Sequence, residues 1–124
     1  MKMMTQSLVA AWLMLLYASP SAVAGEADVI EVQVEKRAAA TYDFAVTVEH
    51  LDEGWNHYAD KWDVVDDQGT VLATRVLAHP HVGEQPFTRG LSGVKLPEKM
   101  TTVTVRAHDS VHGYGGRTVI VDLP

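Results

Sequence analysis

Along "VIEVQVEK", "TYDFAVTVEH", "TTVTVRAHD" and "RTVIVDLP", apolar and polar residues alternate with a period of two. Successive side chains on a strand point to opposite faces, so this period specifies half-buried β-strands. Ile30, Val32 and Val34 fall on one side of the first stretch, against Glu31, Gln33 and Glu35. Tyr42, Phe44, Val46, Val48 and His50 share a side of the second. In the third, Val103, Val105 and Ala107 oppose Thr102, Thr104, Arg106 and His108. No window beyond the N-terminal region carries a helical stripe. "DDQG" at residues 66–69, "LPEKM" at 96–100 and "VHGYGG" at 111–116 supply turn residues between the runs. About seven strands are predicted, over residues 28–36, 41–50, 58–65, 70–78, 91–96, 101–108 and 117–123, the spacing of a single antiparallel β-sandwich. Trp62, in the third, is expected to plug the core, whereas Trp55 falls in a loop.

Residues 1–24 read as a signal peptide. Lys2 precedes an apolar run from Leu8 to Tyr17, and Ala22-Val23-Ala24 offers small residues for cleavage. The run is shorter than the roughly 20 residues of a membrane span. Residues 25–124 then form one β-sandwich domain, periplasmic or secreted, with no span after cleavage. The chain holds no cysteine, which excludes disulfides, thiolate ligands and a lipidated N-terminal thiol. The formal net charge is −6, and loss of Lys2 makes the mature domain more acidic still. Such a surface disfavours nucleic acid.

Chain reversal predicts where the six histidines go. If consecutive strands run antiparallel, His50, His57, His79, His81, His108 and His112 all reach one end of the sandwich, and "DDQG" and "LPEKM" lie at the other. His79-Pro80-His81 puts two imidazoles on extended chain, because proline fixes its own φ and biases the preceding residue toward β geometry. Imidazoles with carboxylates and no sulfur suit Zn(II) or Cu(II). The metal set read from the sequence is His57, His79, His81 and His112. Trp55, Asp60, Arg89 and His108 are expected to line the same end as binding residues. His50 also reads as a packing residue, since it continues the inward parity of its strand, and His108 as plain surface. "EQPFTRGLSG" reads as a long excursion pinned by Phe87, with Arg89 paired to Glu84 or Asp109.

Catalysis is not expected. His108-Asp109-Ser110 are adjacent on a strand, so their side chains diverge, unlike those of a hydrolase triad. "GLSG" lacks the strand–turn–helix setting of a nucleophile elbow, and "GYGG" precedes a strand, not a phosphate-binding helix.

The stretch from Gly54 to Pro97, with "VTVRAHDSVHGYGG" after it, resembles small exported bacterial proteins to which no function is assigned. Its distinctive blocks are residues 55–62, 79–89 and 109–113. In pattern the chain also resembles immunoglobulin-like and fibronectin type III sandwiches, although the antibody disulfide and tyrosine corner are missing. These resemblances imply a fold and no activity. The sequence therefore predicts a small exported binding domain whose histidine-rich end takes a metal ion or small ligand. The alternative is a protein- or carbohydrate-binding module that meets its partner, such as another exported protein, through Trp55, Tyr58, Phe87 and Tyr114.

Overall fold

A computed structural model describes residues 25–124; the predicted signal peptide lies outside the described residues. Seven strands form: β1 (Asp28–Ala38), β2 (Thr41–Glu49), β3 (Ala59–Val65), β4 (Val71–Val76), β5 (Phe87–Lys95), β6 (Thr102–Asp109) and β7 (Val119–Asp122). They make two antiparallel sheets, β1-β2-β5 and β4-β3-β6-β7. The chain crosses between the sheets after β2, after β4 and again after β5, which closes the sandwich expected from the alternation.

The two inner faces interdigitate. Phe44, Val46 and Val48 from β2 meet Trp62 and Val64 from β3 and Val103 and Val105 from β6, all nearly or fully buried. Trp62 fills the middle of this core, as its place in the third run predicts. β3 is covered on its outer face as well, where Tyr114 folds back and donates its hydroxyl proton to the buried Asp63.

Two details depart from the simple alternation. A register shift between Val29 and Glu31 makes Val29 the fully buried residue at the start of β1, while Ile30 is only half-buried. A bulge resets the two-residue parity, which sequence periodicity does not mark. The second departure is in β5, which begins at Phe87, four residues ahead of the predicted start. Val48 pairs with Phe87 and Val46 with Arg89, so "FTRG" is ladder and the excursion is shorter than expected. Glycine at position 90 weakened the strand signal, although here its lack of a side chain suits a close approach to the Phe44 carbonyl.

The "DDQG" turn closes as its residues imply. Asp66 Oδ1 accepts hydrogen bonds from the amides of Gln68 and Thr70, and Gly69 takes φ +83°. At the opposite end, the segment after Tyr114 is clamped to the N-terminal segment. Val29 N–H donates to Arg117 O (2.8 Å), and Arg117 N–H donates to Asp28 Oδ1 (2.7 Å). Gly116 lies so close to this segment that a Cβ there would stand 2.0 Å from the Ala27 oxygen.

Candidate metal centre

All six histidines belong to the strand ends and loops of one pole, but they divide into three groups. The deepest gathers on Asp109, the last residue of β6, which is fully buried. His57 Nε2 lies 2.7 Å from Asp109 Oδ2, His112 Nδ1 3.0 Å and His50 Nε2 3.6 Å. One ligand atom from each of His50, His57 and Asp109 lies within 4.8 Å of the other two.

The sequence places these side chains by parity. His50 follows Tyr42, Phe44, Val46 and Val48 on the inward side of β2, and Asp109 follows Val103, Val105 and Ala107 on the inward side of β6. Both therefore point into the sandwich just where it opens. His57 arrives on the β2–β3 loop, whose tight return is held by an N–H···O bond from His57 to Gly54.

The outer nitrogen of each inner ring meets another carboxylate. His50 Nδ1 is 2.6 Å from Asp52 Oδ1, and His57 Nδ1 is 2.9 Å from Glu53 Oε1. Such partners fix ring orientation and leave Nε2 facing a common centre. Each inner imidazole thus has an oxygen acceptor on both sides, an arrangement satisfied by a second ring proton or by a metal ion on Nε2. Burial works against charge on His57, but the bonds to Glu53 and Asp109 outweigh it and raise its pKa. Burial likewise opposes the charge on Asp109, yet hydrogen bonds from the His112 amide and ring, from His57 and from the Val111 amide hold its pKa low.

The second group is the His79–His81 pair. Their ring centroids are 4.6 Å apart, and His81 stacks on Phe87 at 3.9 Å. Arg89 Nη2 donates to His81 Nε2 at 2.8 Å, a use of Arg89 that the sequence did not indicate in place of Glu84 or Asp109. Burial, with Arg89 and His79 beside it, pushes the His81 pKa down. The third group lies outside the sheet, where His108 Nδ1 meets Asp60 Oδ1 at 2.6 Å and the ring meets Tyr114 edge-on. Of the sequence-read metal set, then, His57 and His112 come together at Asp109, while His79 and His81 pair on a neighbouring wall. Trp55 stands exposed and flanks a groove of about 410 Å³ with Gly54, His79, Pro80, Val82 and Glu84.

Sequence reasoning gave Asp109 no ligand role and left His50 as a packing residue. A charged or imidazole side chain that prolongs an inward apolar series to the end of its strand was the available signal.

The shifted groups set a pH dependence for the metal-free domain. His57, with its pKa raised from 6.5, stabilises the fold below that value and ceases to do so as pH climbs through its folded pKa. His81, with its pKa lowered from 6.5, destabilises as pH drops below that value, because only the unfolded chain takes the proton. Asp109 adds a further acid-side loss below 3.8. Thermal melts in chelator should peak near pH 6.5, and His57→Gln should flatten the alkaline limb; an alkaline limb unchanged in that variant would refute the assignment.

No protein-family model matches the chain, and no solved structure matches it. Among curated proteins it is similar to one from Halomicrobium mukohataei named "Putative lipoprotein", at 41% identity over 97 residues. That alignment covers 78% of this chain and 47% of the relative, so the chain spans about half the relative's length.

Proposed function

We propose that this is an exported domain that binds a divalent metal ion at His50, His57 and Asp109, without catalysis. The observation that carries this reading is the pair of carboxylate–imidazole units, Asp52–His50 and Glu53–His57, whose inner nitrogens converge on one buried carboxylate oxygen. Nitrogen and carboxylate donors without sulfur favour Zn(II) or Cu(II). His112, already 3.0 Å from Asp109, is the nearest further imidazole. The name of the Halomicrobium relative and the predicted leader support an exported setting, periplasmic or secreted.

Calorimetric titration of residues 25–124 with Zn(II) and Cu(II) tests the assignment. His50→Ala and His57→Ala should each weaken binding at least about 10- to 100-fold, the scale found when metal-site partners are removed. The double change His79→Ala/His81→Ala should leave the affinity within a fewfold. The reverse pattern would move the site to the sequence-read pair, and no heat with either metal would end the metal reading.

A second reading rests on Trp55. The residue is 67% exposed, meets Tyr58 edge-on and borders a groove with His79 and Glu84. That is the make-up of a protein- or carbohydrate-recognition surface. Binding that survives chelator and is lost in Trp55→Ala would favour it.

A further inference from the structure

The inner imidazole of His50 has a neighbour that belongs to no side chain. Its Nε2, the nitrogen assigned above to the metal, stands 2.8 Å from the main-chain oxygen of Gly25. Donors held about 2.0–2.2 Å from one small ion lie roughly 3–3.6 Å from each other, so hydrogen-bonded donors need part by only some tenths of an ångström to share it. The Gly25 oxygen therefore has the spacing of a neighbour in the same shell, between the 2.7 Å and 3.6 Å separations of the two histidine nitrogens from Asp109 Oδ2. A cavity of about 420 Å³ opens beside these atoms, lined by Gly25, His50 and Gln85 together with the carboxylate-bearing Glu26, Asp28 and Glu49. Those carboxylates draw cations toward the contact.

We propose that the main chain of Gly25 completes the metal's shell, through its carbonyl oxygen and, once the chain is cut ahead of this residue, through its α-amine. The inference rests on the metal reading above. A peptide nitrogen in mid-chain shares its lone pair with the adjoining carbonyl and donates poorly, whereas a free amine donates strongly. Covalent geometry keeps the nitrogen of Gly25 within about 3.6 Å of its own oxygen, so the two can close a five-membered ring on one ion. Binding displaces the proton that His50 Nε2 shares with the Gly25 oxygen and the extra proton of the α-ammonium, and both leave to water. Cleavage after Ala24, the position read from the small-residue pattern, is then also the event that creates a ligand. Copper or zinc would load after export, not before.

Residues 25–124 hold all seven strands, so the comparison uses that domain with a free Gly25 amine and with an acetylated one. Acetylation removes the amine and keeps the carbonyl. In titrations with Cu(II) and Zn(II), the acetylated form should bind at least about tenfold more weakly, consistent with loss of one ligand. The Cu(II) electron paramagnetic resonance spectrum of the free-amine form should carry one more nitrogen coupling. A chain lengthened by one alanine before Gly25 moves the amine away and should behave like the acetylated form. Melting curves in chelator verify that each form is folded, and either blocked form suffices for the comparison. Equal affinities and identical spectra would overturn this proposal and leave the His50, His57 and Asp109 reading standing. No heat in any form would overturn both.

Discussion

Asp109→Ala is expected to abolish metal binding and to lower stability by roughly 3–5 kcal/mol, the usual cost of removing one partner from a buried charged cluster. For a domain of this size that is a fall in Tm of at least about 12 °C. The carboxylate is fully buried and receives the His57 and His112 rings and the amides of His112 and Val111. Alanine would leave the buried His57 ring without its inner acceptor and would unpin the His112 and Val111 donors, whose residues reach the surface. Asp109→Asn should recover part of the stability, because the amide oxygen still accepts, but little of the metal affinity, because the negative charge is gone. Denaturant melts and calorimetry on both variants check the two effects separately. A loss below about 1 kcal/mol for alanine would mean that water replaces the carboxylate, and that the centre is not sealed.

Gly116→Ala is expected to cost about 3 kcal/mol or more, from overpacking and the loss of hydrogen bonds on the same clamp. The added Cβ would meet the Ala27 oxygen at 2.0 Å, the Ala27 carbonyl carbon at 2.7 Å and Asp28 Oδ1 at 2.7 Å. Two of these are backbone atoms, and a flexible side chain cannot relieve them. Relief requires residues 26–28 to withdraw, which breaks the bonds Arg117 N–H to Asp28 and Val29 N–H to Arg117 O. Since Gly25 directly precedes this segment, metal affinity should fall as well. Thr118→Ala, two residues further on at an exposed position, should stay within about 0.5 kcal/mol. Equal melting points for Gly116→Ala and the parent domain would refute the close packing.

The strand pattern was readable because a half-buried sheet writes its inside and outside directly into alternate residues. β2 and β6 obey that rule along their whole length, and chain reversal alone placed the histidines at a common pole. Parity failed where geometry is not periodic: at the bulge beside Ile30, and at Gly90, where a strand residue lacks a side chain to count. The centre itself was partly legible. His57 and His112 emerged because imidazoles in loops at one pole are conspicuous. His50 and Asp109 did not, because each looks like the last step of an apolar series, and only the folded sandwich brings the ends of the two series face to face. The His79-Pro80-His81 motif was the opposite case. Its spacing suits a pair of ligands, but stacking on Phe87 and the approach of Arg89 are tertiary contacts that spacing does not encode.

Asp52 ties these parts together. Its Oδ1 takes the His50 ring and the Ala59 amide, and its Oδ2 takes the His81 amide. One carboxylate thus joins the end of β2, the start of β3 and the loop between β4 and β5. Mechanically, this couples the three: displacing any one of them strains a bond to the carboxylate that the other two share.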